Sequence, residues 1–231
     1  IILRDLGQLK ESFDSYLKAI DINPKNSNFY TLITSFLRDS DLSQFNKLNL
    51  KNILNILLKR NDVPHKELKR AFNFVYRDEI IINLEKIDSD FSEIELLASD
   101  KVIINALKKI IFSDIKVEKL LTKIRRNICH HTAKNIETLN YSALKFIIAL
   151  GEQCFLNEYV YSFTEEENIS VDSILKKCRD VGVSETAVSI LSCYFPLYKL
   201  LDQIPSLKSF DSSNQSLKEL IELQMTEPLK E

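Results

Sequence analysis

Only three of the 231 residues are glycine, and Gly7, Gly151 and Gly182 stand far apart. Nucleotide sites of the Rossmann and P-loop kinds need clustered glycines, because the backbone itself must approach the phosphates. Three isolated glycines build no such cradle, so a self-contained cofactor-binding α/β fold is not expected. Proline is also sparse, and no valine-rich run marks a buried parallel strand. No stretch of about 18 apolar residues occurs, which excludes a transmembrane helix. The first residues lack the basic, apolar and small-residue order of a signal peptide. The four cysteines, Cys129, Cys154, Cys178 and Cys193, form no short-spaced pair. A reduced, cytoplasmic setting with buried free thiols is the simplest expectation. The net charge is −2 and the basic residues are dispersed among acidic ones. Neither nucleic acid nor an acidic membrane is therefore expected as a partner.

What the chain does have is helical periodicity. In the segment from Gly7 to Pro24, Leu9, Phe13, Tyr16, Leu17 and Ile20 recur on one helix face, with Ala19 and Ser12 as small residues for close approach. Gly7 suits a tight turn, and Pro24 ends the helix by lacking an N–H and disfavouring α geometry before it. Leu3-Arg4-Asp5 recurs as Leu37-Arg38-Asp39, an offset of 34 residues, which is the period of tetratricopeptide repeats. The segment resembles such a repeat, with Gly7, Tyr16, Ala19, Ile22 and Pro24 matching the family pattern. Residues 27–39 read as the first helix of a following repeat, with Tyr30 and Ile33 on its packing face. Beyond them the pattern decays: Asp41 stands where Gly7 stood. The chain opens with Ile1, and most of the first repeat's first helix is missing. The expectation is a fragment carrying the last repeats of a longer array.

The resulting reading is all-α: tetratricopeptide-like helix pairs over residues 1–45, then an irregular multi-helix connector over 46–231. Further helices are expected over 48–59, from Pro64 through Val75, over 78–87 and over 91–98. Asp100 serves as an N-cap. Apolar faces follow at Val102 to Ile111 and Val117 to Ile128. From Tyr141 to Leu150 the chain is apolar nearly all round, and this helix is expected to run on toward Tyr161. Thr164 to Glu167 has the capping-box pattern, and Glu165, Glu166 and Glu167 suit a helix N-terminus. Pro196 should kink or split a helix over 187–201. Ser206 to Ser216 reads as a flexible loop, before a last helix over 216–225.

Few constellations suggest chemistry. Cys129-His130-His131 are consecutive, so on a helix they point about 100° apart and do not converge on one ion. Cys154 lies in an apolar helix, where a thiol is inert. Glu158 is a carboxylate among apolar neighbours and must be paired, exposed or perturbed. No catalytic, cofactor or metal residue is assigned, although Glu158 or His130 would serve a third, weaker reading as a helical enzyme. On the repeat-like helix, Asn28, Thr31, Ser35 and Arg38 share one exposed face. The tetratricopeptide resemblance implies that this face, with Arg4 in the preceding repeat, lines a groove for a protein or peptide. The two arginines could grip a carboxylate or phosphate; the same pattern also fits a solvated polar stripe.

A second resemblance rests on Leu150-Gly151-Glu152-Gln153-Cys154-Phe155-Leu156-Asn157-Glu158-Tyr159-Val160-Tyr161 with Thr164 to Glu167, on Leu191-Ser192-Cys193-Tyr194-Phe195-Pro196-Leu197, and on Gln224 to Glu231. These segments are similar to the helical region that joins tetratricopeptide repeats to an S-adenosylmethionine-dependent methyltransferase in large bacterial proteins. The resemblance implies a non-catalytic connector, with S-adenosylmethionine bound, if at all, beyond Glu231. A stand-alone adaptor or scaffold without enzyme activity is the alternative.

Overall fold

The computed structural model describes residues 2–89, 94–134 and 139–228, with every side chain among them except those of Arg4, Asp5, Asp88, Ser89 and Leu96. Among the described residues every regular element is helical and no strand occurs. The all-α expectation is met. Packing divides the chain into two compact units, Ile1–Ile80 and Ile81–Glu231. Residues 46–80, assigned from sequence to the connector, thus fall in one unit with residues 2–45.

In the first unit, α1 (Ile2–Asp5) ends at Gly7, whose φ of +75° is a left-handed turn that glycine adopts without Cβ strain. Helices α2 (Leu9–Ile22) and α3 (Ser27–Asp39) follow, joined by four residues and packed on each other. The Asn26 side chain caps α3 by accepting from the Asn28 N–H at 3.1 Å. Phe13 and Tyr16 of α2 meet Phe36 of α3 and Phe45 in an aromatic cluster, with ring centroids 4.8–6.2 Å apart. A 3-10 turn at Leu42–Gln44 leads to α4 (Lys47–Lys59), capped by Asn46. Another at His65–Leu68 leads into α5 (Lys69–Ser89), whose residues from Ile81 onward belong to the second unit. Sequence divides this last stretch into two helices; it is one. Ile80, Ile81 and Leu84 continue the buried side begun by Phe72 and Tyr76, and no breaker interrupts them.

The second unit is organised around α9 (Tyr141–Leu156), which packs against α6 (Ile94–Ser99), α7 (Lys101–Lys109), α11 (Glu185–Leu191) and α12 (Gln215–Ile221). Helix α8 (Ile115–Lys134) packs chiefly on α10 (Glu165–Asp180). Asp100 caps α7, and Thr164 with Glu167 forms a complete capping box on α10, both as expected. The expected helix over 91–98 is α6, with residues 91–93 outside the described residues. Helix α11 stops at Leu191, so Pro196 opens a separate 3-10 turn, Leu197–Leu200. Ser206 to Ser216 is turned and anchored rather than open: Leu207 and Ser212 are buried, and the Ser212 hydroxyl donates to Glu185. Helix α12 passes into a π turn at Glu222–Thr226.

Orphan carbonyls at helix ends are met by side chains from neighbouring helices. Gln153 of α9 donates to the Leu107 and Ile110 carbonyls at 3.2 and 3.0 Å and accepts from the Phe112 N–H at 2.8 Å. Lys145 donates to the Ala98 carbonyl and Lys177 to that of Ala133, each at 2.6 Å. Gln224, in the π turn, donates to the carbonyl of Ser192, the C-cap of α11, at 3.2 Å, and also to that of Gly151, within α9, at 2.9 Å. These amide and ammonium groups tie the packing to one register, because each buried carbonyl must find a donor.

Gly151 is the point of closest approach. A β-carbon there would collide with the Ser192 hydroxyl and stand 3.2 Å from Ser192 Cβ. Gly151→Ala is expected to lower unfolding free energy by about 1–3 kcal/mol through overpacking. Adding Ser192→Gly should return about 1 kcal/mol or more, since the clashing atoms are removed. Urea melts of the two single variants and the double variant measure this coupling; strictly additive losses would show that the contact is not the cause.

Candidate functional site

Helix α3 has two sharply different sides. Tyr30, Ile33, Thr34, Phe36 and Leu37 are buried, whereas Asn28, Thr31 and Arg38 are exposed and Ser35 is half-buried. The four polar residues therefore line one face, as the spacing predicts. The side chain of Arg4, the fifth member of the expected groove, lies outside the described residues.

The face is braced by its own neighbours. Arg38 donates Nε and Nη2 to Asp39 at 2.7 and 2.8 Å, and its Nη1 lies 3.2 Å from Glu67. Hydrogen bonds and charge from Asp39, with added charge from Glu67, hold the guanidinium above its ordinary pKa. Ser35 donates to Glu67 at 3.4 Å, and Arg70 donates to the Arg38 carbonyl at 3.0 Å. An external anion would have to displace Asp39 or Glu67 to be gripped by Arg38. What α3 offers is a mixed-charge surface, extended by Glu67 and Arg70 from the 3-10 turn and α5. Sequence reasoning missed these two residues because they lie 32 positions away from their partners. At the other end, Arg60 stacks over the Tyr30 ring at 3.7 Å, and the Tyr30 hydroxyl donates to the Pro24 carbonyl at 2.8 Å.

The second unit buries a charged cluster. Glu167 is wholly buried, and both oxygens are engaged. Oε1 accepts from Arg125 at 3.1 Å and from the Tyr194 hydroxyl at 2.8 Å. Oε2 accepts from Arg126 at 3.2 Å and from the Thr164 N–H at 2.9 Å. Burial alone would raise the Glu167 pKa, but the Thr164 N–H, the Arg125 charge, Tyr194 and Arg126 together hold it below its ordinary value. Arg125 also donates to the Ser162 carbonyl at 2.8 Å and lies over the Tyr194 ring at 4.5 Å. A carboxylate so saturated is a clamp joining α8, α10 and Tyr194; it has neither a proton nor an open lone pair for acid–base work.

The remaining candidates are dispersed. Cys154 and Cys193 are buried without access for a substrate; desolvation pushes the Cys193 thiol up. Burial pushes Cys129 up to about 11. His130 is 2.7 Å from the Ser170 hydroxyl, while His131 is exposed, so the Cys129–His131 side chains diverge. Among the described residues, no group of three or more His, Cys, Asp or Glu is placed to hold a metal ion. No described helix is long and apolar enough to cross a membrane. Glu158 is exposed; among the described residues the buried carboxylates are Glu167 and Glu152, the latter paired with Lys108 at 2.8 Å. Comparison with family models, curated proteins and solved structures finds no match to this chain.

Proposed function

We propose that the chain is a helical interaction module that binds another protein or a peptide through the exposed face of α3. The observation that carries this reading is the line Asn28, Thr31, Ser35 and Arg38, set directly opposite a fully packed face. It is pinned at its ends by the Tyr30–Arg60 stack and the Arg38–Glu67 pair. A polar surface held on a rigid helix presents its contacts with little ordering left to lose on binding. The tetratricopeptide resemblance supports the same face as the contact surface.

Within this proposal the second unit is a connector, and a larger protein coupled to an S-adenosylmethionine-dependent methyltransferase is the context that its resemblance implies. The coding sequence downstream decides between that context and a stand-alone adaptor. A glycine-rich strand–turn–helix supports the first, and further repeats or a stop codon support the second.

The contact face is tested by photo-cross-linking in cells. A benzophenone side chain placed at Thr31 is expected to give discrete protein adducts, and one placed at Lys18, on the exposed side of α2, is not. Identical adducts from both positions, or none from position 31, would contradict the proposal.

A further inference from the structure

Gly151 lets the segment after α11 press against α9, and two thiols meet beside it. The Gln224 amide reaches the carbonyls of both Gly151 and Ser192, at 2.9 and 3.2 Å, so the two backbones lie side by side. Cys193, next after Ser192, sets its Sγ 3.6 Å from the Ile147 carbonyl of α9. Cys154 follows Ile147 by two helical turns and so projects from the same face. The two sulfur atoms are neighbours there, close enough for the Cys193 thiol to donate to the Cys154 sulfur. Both residues are buried.

Arg125 supplies the second feature. Its Nη2 donates to the Ser162 carbonyl and to Glu167, whereas its Nε, equally buried, has no hydrogen-bond partner among the described residues. The guanidinium stands beside Cys154. A thiolate accepts a hydrogen bond far better than a thiol, so a buried N–H without a partner favours the ionised form of the sulfur it faces. Burial alone raises the Cys154 pKa, but the Cys193 thiol and the Arg125 charge together hold it below the ordinary cysteine value. Burial pushes Cys193, Cys129 and Cys178 the other way. The apolar run around Cys154 predicts an inert thiol; α8 overrides it by bringing Arg125 to the sulfur.

We propose that Cys154 and Cys193 form a dithiol that a small hydroperoxide closes to a disulfide and a thiol reductant reopens. The Cys154 thiolate attacks one oxygen of hydrogen peroxide, the O–O bond breaks, and the sulfur becomes a sulfenic acid. The departing hydroxide takes up the proton that Cys154 had released and leaves as water. The Cys193 sulfur then attacks the sulfenic sulfur, the S–O bond breaks, and this second hydroxide leaves as water with the Cys193 proton. The sulfur pair loses two electrons, and one peroxide is reduced to two waters. Burial selects the oxidant: hydrogen peroxide is neutral and little larger than water, whereas a bulky disulfide has no path to either sulfur.

The test is oxidation of the whole folded chain by hydrogen peroxide, followed by alkylation under denaturing conditions and peptide mass spectrometry. Cys154 and Cys193 are expected in one cross-linked peptide pair, consumed about tenfold or more faster than Cys129 and Cys178, and restored by dithiothreitol. In Cys193→Ser, dimedone should capture a sulfenic acid at Cys154; in Cys154→Ser, Cys193 should react as slowly as Cys129. Circular dichroism checks the fold of each variant, and selectivity within the parent chain decides the proposal even where a serine variant does not fold. Equal oxidation of all four cysteines, a disulfide joining any other pair, sulfenic acid at Cys193 instead of Cys154, or no disulfide would each overturn the proposal. None of these residues belongs to α3, so the cross-linking at Thr31 is unaffected and the two readings stand or fall separately.

Discussion

Glu167→Gln is expected to destabilise the second unit by about 3–5 kcal/mol, the largest loss of any single polar substitution proposed for this chain. An exposed ion pair such as Arg38–Asp39 contributes about 0–1 kcal/mol by comparison. The difference lies in what is left behind. Arg125 is buried, with its Nε already lacking a hydrogen-bond partner, and loss of the Glu167 charge leaves its guanidinium uncompensated. The Tyr194 hydroxyl and Thr164 N–H lose a charged acceptor at the same time. Replacing both members, with Arg125→Met and Glu167→Leu, should recover part of the loss, because breaking a buried pair costs more than removing it.

The pH dependence has a definite sign. The Glu167 carboxyl is held below its ordinary pKa in the folded chain, so its contribution is fully present above the ordinary glutamate range. It is lost as pH falls through the lowered folded value. The stability gap between the parent chain and Glu167→Gln should therefore be constant near neutrality and narrow in acid. Denaturant melts across this range measure it; a gap that widened on acidification would place the stabilising charge elsewhere.

Phe36→Ala is expected to cost the first unit about 3–5 kcal/mol. Phe36 is wholly buried, and its ring meets those of Phe13, Tyr16 and Phe45 at 6.2, 5.3 and 5.6 Å. Removing it opens a cavity where α2 and α3 join, with three rings unable to close it without leaving their own sites. Since the same helix carries the exposed polar face, its amide protons should exchange faster throughout α2 and α3, with those of α9 and α10 little changed. Uniform acceleration in both units would show that they unfold as one.

The sequence makes the helices legible because each signal is local. Periodicity puts Tyr30 and Ile33 inside and Asn28, Thr31 and Arg38 outside. Asp100 and Thr164 announce helix starts, since a cap acts within three residues of itself. Gly7 marks a positive φ. The interior polar groups are hidden for the complementary reason. Glu167 reads correctly as a capping-box residue, but Arg125 lies 42 positions away, and no local pattern tells that α8 places it against the same carboxylate. Gln153 and Gln224 look like ordinary polar residues on apolar helices until the carbonyls they serve are brought to them. Helix α9 ends at Leu156, short of the Tyr161 that its sequence suggests, because Glu158 and Tyr159 adopt φ of +58° and +59°, a conformation that normally announces itself through glycine or asparagine. Glu158 has apolar sequence neighbours, yet the fold turns it outward and buries Glu152 six residues earlier.

The proposed function requires α3 to present a contact surface to another polypeptide. Its most direct measurement is the affinity of the protein recovered through the Thr31 cross-link for the parent chain and for Thr31→Arg, a substitution on an exposed position that leaves the packed face of α3 intact. Binding weakened by about tenfold or more, with the melting temperature unchanged, is the expected result. Equal affinity of the two folded chains would contradict it.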